Sequence, residues 1–193
     1  MGLLVGFAPW IVYWVLVGNV PFLLALLVSL SLAVGAMIVG RVKKLPGLTF
    51  EIGTLGTFFF LTVLTLTVSK SFLERWLAPL SYAGIFAVVL VGVLIGKPFV
   101  REFANIVQPA EVTNTDLYLR ITTVLTWIWV AAYGGMTASA AVPPIVHGKD
   151  ATLLDEDGAS SFVFYWVIPF ALMGIAALVT RLLPSRMIRS HTP

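Results

Sequence analysis

Hydroxyl and aromatic side chains recur at helical spacing within the apolar stretches of this chain. They are Thr122, Thr126, Trp129 and Tyr133 in one stretch, Thr54 and Thr57 in a second, and Trp10 and Trp14 in a third. Residues three or four apart lie on the same face of a helix. Because these groups are polar but uncharged, we expect them to line a pocket that binds a small neutral or amphipathic ligand.

The same residues also suit a structural role. A buried threonine can donate its hydroxyl to the carbonyl four residues before it, or to a neighbouring helix. Tryptophan and tyrosine rings fill the space between helices and gather where a membrane meets water. Helix packing is the more frequent use of such faces, so the sequence leaves both interpretations open.

The composition excludes several kinds of chemistry. The chain has no cysteine, which rules out disulfides, thiolate metal sites and cysteine nucleophiles. Its two histidines, His147 and His191, lie outside the apolar stretches and cannot hold a haem within a bilayer. No ionisable residue lies near the middle of a long apolar stretch, which argues against a proton pump or a proton-coupled transporter. We expect no catalytic residue, no cofactor and no metal site.

Acidic residues are the remaining candidates for chemistry. An enzyme that acts on lipid would need a carboxylate together with a base or a metal, and the sequence offers no such constellation. The candidate carboxylates for that reaction are Glu51, Glu102, Glu111 and Asp116. The acids of 150–157 lack the spaced oxygens that calcium requires, so we expect them to form a solvated loop.

Composition also indicates where these residues lie. Hydrophobic residues make up 59% of the 193 residues, and charged residues make up 11%. Soluble domains contain about 45–50% and about 25%, respectively. Helices that are apolar on every side are stable in lipid, where about 20 residues cross the hydrocarbon core. The sequence therefore predicts an all-α integral membrane protein with one transmembrane domain over residues 1–193.

The apolar stretches and their interruptions predict six spans. Gly18-Asn19-Val20-Pro21 should turn the chain between the first two spans, and Pro143-Pro144 should end the fifth. Residues 69–76 should form a polar link, and Pro169 should kink the sixth span. The predicted helices cover about 2–18, 20–40, 50–68, 77–96, 117–142 and 160–183.

Lysine and arginine collect on one side of this arrangement. With the N-terminus inside, three of the 12 cations lie outside: Lys70, Arg75 and Lys149. Cytoplasmic segments of membrane proteins carry such an excess of cations, so we predict a six-helix bundle with both termini in the cytoplasm. The nine inside cations are Arg41, Lys43, Lys44, Lys97, Arg101, Arg120, Arg181, Arg186 and Arg189.

Residues 96–129 contain a membrane-surface element ahead of the fifth span. Its apolar residues can enter the acyl boundary, while Lys97, Arg101 and Arg120 can reach lipid headgroups. Arg101 can also pair with its neighbour Glu102. We therefore expect a short amphipathic interfacial segment before the fifth span, with membrane lipids as its partners.

The same segment resembles the intracellular septation protein A family and its relatives, which are small proteins of the bacterial inner membrane. The shared pattern is a glycine, a basic residue and a Pro-Phe pair, then an amphipathic stretch that ends at a proline, and a helix that carries threonine and tryptophan. The matching positions are Gly96, Lys97, Pro98, Phe99, Ala104, Pro109, Arg120, Thr123 and Trp127. The resemblance implies an inner-membrane protein connected with the cell envelope or division machinery, and it implies no catalytic residue.

Two functions from different classes fit these observations. The first is a non-enzymatic accessory or assembly subunit of the cell envelope, which packs against a membrane-protein partner or a second copy of itself. Small residues at Ser31-Gly35, Gly92-Gly96 and Ala131-Gly135 would allow such close helix approach. The second is a transporter or substrate-binding membrane subunit for a small neutral or amphipathic solute, with the polar faces lining its site. Neither function involves nucleic acid.

Overall fold

The computed structural model describes residues 2–43, 49–146, 148 and 159–189. Within these ranges nearly every residue is helical and none lies in a strand. The acidic residues of 150–157, together with His147, Lys149 and His191, lie outside the described residues. The helices are α1 (Gly2–Leu16), α2 (Phe22–Val42), α3 (Thr49–Thr67), α4 (Lys70–Leu94), α5 (Phe99–Ala104), α6 (Ala110–Thr113), α7 (Asp116–Val146), α8 (Ala159–Phe162) and α9 (Ile168–Arg189), with a π-helical turn at Val163–Val167 between the last two.

Five helical segments within the described ranges are long and apolar enough to cross a membrane. They are α2, α3, α4, α7 and the segment Val163–Ser185. This composition of long apolar helices makes the chain an all-α, multi-pass membrane protein, as its sequence predicts. The apolar part of α1, Gly6–Leu16, is shorter than a usual span of about 20 residues.

Helices that are neighbours in the chain also pack together in the bundle. α2 packs against α1 and α3, α4 packs against α3 and α7, and α9 packs against α7. α1 also lies across α3, where the rings of Trp10 and Tyr13 lie 4.7 and 5.6 Å from that of Phe58. Aromatic rings therefore form much of the core between the first helices.

An aromatic cluster defines one end of the bundle. Phe7 of α1, Phe50 of α3 and Phe103 of α5 meet there, with the rings of Phe7 and Phe50 4.7 Å apart. Gly6 permits this approach, because a β-carbon at that position would lie 2.5 Å from the Phe103 ring. We call this the α5 end of the bundle.

The chain turns between α1 and α2 at residues 17–20. The side-chain amide of Asn19 donates a hydrogen bond of 2.7 Å to the carbonyl of Val15, which satisfies one of the last carbonyls of α1. Pro21 follows in an extended conformation and directly precedes α2. Asn19, one of the residues that predict this turn, thus also makes a hydrogen bond that stabilises it.

α4 begins at Lys70, so the predicted polar link at 69–76 is instead part of a helix. Ser69 takes the extended backbone conformation of a residue that precedes a helix, with φ −69° and ψ 150°. The side chains of Lys70 and Glu74 then approach to 3.4 Å on adjacent turns. Polar residues at the end of a span do not stop the helix, because its backbone hydrogen bonds continue outside the hydrocarbon.

α4 ends just before Gly96, whose spacing from Gly92 predicts a role in helix packing. Gly96 has a φ of 76°, and its N–H donates to the carbonyl of Val93 at 3.0 Å. The N–H of Lys97 donates to the carbonyl of Gly92 at 2.8 Å. These two bonds form the Schellman motif, so Gly92 and Gly96 end the helix here rather than form a packing pair.

α7 continues through Pro143 and Pro144 to Val146, beyond its predicted end at 142. Proline holds φ near −65°, which a helix accepts, but it lacks a donor and its ring crowds the carbonyl four residues earlier. Both prolines lie in the last turns of α7, and both are buried. The helix therefore loses only a few terminal hydrogen bonds.

The predicted kink at Pro169 takes the form of a π-helical turn just before it. Because proline has no N–H, Pro169 offers neither an α-helical donor to the carbonyl of Tyr165, four residues earlier, nor a π-helical donor to that of Phe164, five residues earlier. The hydroxyls of Ser139 and Tyr82 replace these donors, each with a hydrogen bond of 2.9 Å to the carbonyl of Phe164 and Tyr165, respectively. The break in the last span is thereby tied to α7 and α4.

Glu102 caps α3 instead of pairing with Arg101. Its carboxylate accepts hydrogen bonds from the backbone N–H groups of Thr49 at 3.0 Å and Phe50 at 3.3 Å. A carboxylate at this position satisfies free donors and meets the positive end of the helix dipole. The expected Arg101–Glu102 ion pair does not form, because adjacent residues on a helix point in different directions.

Candidate functional site

A cleft of about 650 Å³ lies between α1, α7 and the last span, and we call it the cleft from here on. Its walls are almost wholly apolar, and no Asp, Glu, Lys, Arg or His is among its lining residues. A cavity of this volume is large enough for a small ligand or a lipid chain. The lining residues are Phe7, Ile11, Trp14 and Val15 of α1, Phe99 and Val100 of α5, Trp129 and Tyr133 of α7, and Trp166, Phe170, Met173, Ala177 and Thr180 of the last span.

Helical spacing explains why these side chains share one cavity. Phe7, Ile11 and Trp14 are four and three residues apart, so they lie on one face of α1. The lining residues of the last span occur at 166, 170, 173, 177 and 180, which is a continuous stripe along that helix. α1 and the last span thus present apolar faces to the same space.

Trp129 joins α7 to α9 at one wall of the cleft. Its indole Nε1 donates to the hydroxyl of Thr180 at 3.0 Å. That hydroxyl in turn donates to the carbonyl of Ala176 at 2.8 Å. The Trp129 ring also packs against Tyr133, with centroids 5.5 Å apart. These contacts fix the position of the indole.

Trp14 forms the wall on the side of α1. Its ring meets Phe170 edge-on at 5.7 Å and Tyr82 at 6.1 Å. Phe170 is also stacked on Trp166 at 5.9 Å with an interplanar angle of 4°. Aromatic contacts of this geometry stabilise beyond the burial of their surface, so this wall is well defined without a ligand.

Two residues that line the cleft carry buried donors without an acceptor. Trp14 is 6% exposed and Tyr133 is 0% exposed. Neither the indole Nε1 of Trp14 nor the hydroxyl of Tyr133 makes a hydrogen bond in this structure. An unsatisfied buried donor costs about 1–3 kcal/mol, and native proteins seldom keep one. Both donor atoms are shielded from solvent, so they lie behind the surface of the cleft rather than on it.

Other members of the predicted polar faces pack in the core. The indole Nε1 of Trp10 donates to the hydroxyl of Thr54 at 3.0 Å, and both side chains are buried. Thr57 and Thr126 each donate to the carbonyl four residues earlier on their own helix, at 2.9 and 2.7 Å. The structure therefore brings Trp14, Trp129 and Tyr133 together at the cleft and places these four elsewhere.

A second cavity of about 650 Å³ lies at the α5 end, within the bend that α5 and α6 make before α7, and we call it the elbow cavity. Hydroxyl and amide groups make it more polar than the cleft. Val100 and Thr180 line both cavities, so the two meet at these side chains. The elbow cavity is lined by Val100, Phe103, Ala104, Ile106, Val107, Gln108, Val112, Thr115, Leu117, Tyr118, Ile121, Thr122, Leu125, Thr180 and Pro184.

Arg101 connects α5 to α7; it is not among the lining residues of the elbow cavity, but it donates to Thr122, which is. Its guanidinium donates to the hydroxyl of Thr123 at 2.9 Å, and at 3.4 Å to the hydroxyl of Thr122 and the carbonyl of Leu119. The side chain is half-buried, and all three acceptors are neutral. Buried cations are normally paired with a carboxylate, so Arg101 leaves an unneutralised positive charge beside this cavity.

The other two predicted headgroup residues keep free side chains on the surface. Lys97 follows the end of α4 and Arg120 lies in the second turn of α7, and both are exposed. Arg181 of α9 is exposed next to Thr180, where the two cavities meet. The α5 end therefore carries several exposed cations, none of which lines the elbow cavity.

The stripe on the last span was not among the predicted binding residues. Its signal is present in the sequence, because Trp166, Phe170 and Met173 recur at helical spacing. The same spacing of apolar residues also occurs on helix faces that contact lipid, so it does not by itself indicate a cavity.

Comparison with known proteins identifies no relative: no family model, no curated protein and no solved structure matches this chain.

Proposed function

We propose that this chain is a transport or substrate-binding protein of the bacterial inner membrane, which holds a small neutral or amphipathic molecule in the cleft. The observation that carries the proposal is an apolar cavity of about 650 Å³ whose walls are aromatic side chains of α1, α7 and the last span. An apolar molecule, or the apolar part of an amphipathic one, would fill this volume. It acts by binding alone, since the lining offers neutral groups rather than an acid and a base.

The proposal includes α1 as a sixth span and places both termini in the cytoplasm. Its support is the distribution of the described cations, because the cytoplasmic side of a membrane protein carries the excess. Lys70 and Arg75 lie at the start of α4, at the end of the bundle opposite α5. The cations at or near the α5 end are Arg41, Lys43, Lys97, Arg101, Arg120 and Arg181.

Single cysteines can test this orientation, because the chain contains none of its own. A membrane-impermeant maleimide applied to spheroplasts should label the Val146→Cys variant and leave the Lys43→Cys variant unlabelled until the cells are lysed. Labelling of both variants in intact spheroplasts, or of Lys43→Cys alone, would reject the orientation.

A single substitution to a larger side chain can fill the cleft. Ala177 and Ala171 lie on the same helix and both are exposed, but of the two only Ala177 lines the cleft. Ala177→Phe should therefore occupy the cleft, and Ala171→Phe is a matched control for the added volume.

Thermal stability of the delipidated protein in detergent reports binding. A neutral monoacylglycerol at 100 times its Kd would stabilise the folded state by about 2.7 kcal/mol. We expect this probe to raise the Tm of the wild type and of Ala171→Phe, but not that of Ala177→Phe. An unchanged Tm of the wild type across a panel of neutral amphiphiles would refute the proposal.

A second candidate function is supported by an outward-facing pair on α2. Ser31 is exposed, and a β-carbon at Gly35 would have no neighbour within 4 Å. By contrast, a β-carbon at Gly135 would lie 2.9 Å from Leu172 of α9, so that glycine already serves packing within the chain. The free pair and the resemblance to the septation protein A family support an accessory or assembly subunit of the cell envelope.

Cross-linking in native membranes tests this second function. Gly56 of α3 is exposed and, like Gly35, has no neighbour within 4 Å of a β-carbon, so it provides a control position. We expect a cross-linked dimer or a stoichiometric complex that Gly35→Leu abolishes and Gly56→Leu preserves. A wild type that remains monomeric and unlinked would reject the function.

A further inference from the structure

The elbow cavity and the cleft meet at Val100 and Thr180. Arg101 donates a hydrogen bond to Thr122, which lines the elbow cavity. We infer that the ligand is an anionic lipid, whose acidic headgroup lies at the elbow cavity near Arg101 and whose acyl chain enters the cleft. The inference rests on the proposed binding function of the cleft and adds the chemical class of its ligand.

The two cavities differ in polarity in the way that a lipid does. Gln108, Thr115 and Tyr118 give the elbow cavity amide and hydroxyl groups, whereas the cleft is lined almost entirely by apolar atoms. The elbow cavity is also bounded by the short helices α5 and α6, whose apolar and polar residues suit the interface between headgroups and acyl chains. A molecule that is polar at one end and apolar at the other matches this arrangement.

The positive charge of Arg101 favours a ligand whose polar end is an anion. A guanidinium has five N–H donors, and the three hydrogen bonds of Arg101 come from Nε and Nη2, while Nη1 makes none with the residues that the structure describes. The adjacent carboxylate of Glu102 is held by the start of α3 and does not neutralise Arg101. The two remaining N–H groups of Nη1 and the positive charge can bind a phosphate oxygen, so a phosphate headgroup complements this position.

Native mass spectrometry of the full chain can compare headgroups directly. The delipidated protein in detergent is titrated with phosphatidylglycerol and with phosphatidylcholine that carry the same acyl chains. Because a hydrogen bond to a charged group changes affinity by on the order of tenfold or more, we expect phosphatidylglycerol to bind more tightly by about that factor. This comparison uses the wild type and does not depend on the folding of any variant.

Matched variants then place the headgroup. Arg101→Gln should reduce phosphatidylglycerol binding to the level of phosphatidylcholine, while Arg101→Lys should keep part of the preference because it keeps the charge. Lys70→Gln removes an exposed cation at the opposite end of the bundle and should change neither lipid. Ala177→Phe should weaken both lipids equally, because it fills the space for the chain.

The outcomes separate this inference from the proposed function. Equal binding of the two lipids to the wild type would overturn the inference and leave the cleft as a general amphiphile site. A headgroup preference that persists in Arg101→Gln, or displacement of phosphatidylglycerol by millimolar inorganic phosphate, would also overturn it. Failure of both lipids to bind would overturn the inference alone, because binding of the neutral monoacylglycerol tests the proposed function separately.

Discussion

The hydroxyl of Tyr82 donates a hydrogen bond of 2.9 Å to the carbonyl of Tyr165, which is 83 residues away in the chain. This carbonyl lies four residues before Pro169, which has no N–H to offer. A side chain of α4 thus replaces a backbone donor that the last span lacks. The bond holds one wall of the cleft against the middle of the bundle.

Tyr82→Phe should therefore destabilise the protein by about 0.6–2 kcal/mol, since it leaves that carbonyl without its donor. Pro169→Ala supplies a backbone N–H, so the loss caused by Tyr82→Phe should be smaller in that background. The measurement is the free energy of unfolding of the four proteins of the double-mutant cycle in bicelles. An equal loss in both backgrounds would show that Pro169 does not create the need for Tyr82.

The pair Trp10 and Thr54 gives a second prediction. Thr54→Val leaves the buried indole N–H without its acceptor, so we expect a loss of about 1–2 kcal/mol in the free energy of unfolding. Thr57→Val is the control on the same helix, because its hydroxyl bonds only to the carbonyl of Gly53; its loss should stay below about 0.5 kcal/mol. Similar losses for the two variants would contradict the role assigned to Thr54.

Gly84 sets the spacing of α3 and α4. A β-carbon at this position would lie 2.3 Å from Cγ2 of Thr57, so Gly84→Ala should force the helices apart and cost about 1–3 kcal/mol of stability. Gly56→Ala meets no neighbour within 4 Å and should be neutral or slightly stabilising.

Thr57→Ser removes the clashing methyl group and should restore most of the stability lost in Gly84→Ala. Thermal unfolding in detergent measures all three variants. A Gly84→Ala protein as stable as Gly56→Ala would show that the helices are not in close contact there.

Hydropathy predicts the long helices because a span needs only length and apolar residues, as in α2 and α3. The ends are harder to predict. The charged residues at 70–75 and the prolines at 143 and 144 suggest that a helix stops there. In the structure, α4 includes the first set and α7 includes the second, because backbone hydrogen bonds continue through both. Helix ends depend on backbone contacts such as those of Gly96, which hydropathy does not describe.

The candidate site was predictable only in part. Helical spacing places Trp129 and Tyr133 on one face, but it does not say which helix that face meets. In the structure Trp129 meets Thr180 of α9, and Trp10 meets Thr54 of α3. Which helices pack against each other decides whether a polar face lines a cavity or lies in the core.

Photo-crosslinking tests the cleft most directly. A monoacylglycerol with a diazirine in its acyl chain is irradiated with the protein in membranes, and the modified peptides are identified by mass spectrometry. We predict adducts on the cleft faces of α1, α7 and α9, near Ile11, Tyr133 and Met173, which are lost in Ala177→Phe and retained in Ala171→Phe. Adducts confined to outward-facing residues such as Phe59 and Leu66, and unchanged by Ala177→Phe, would contradict the existence of a binding cleft.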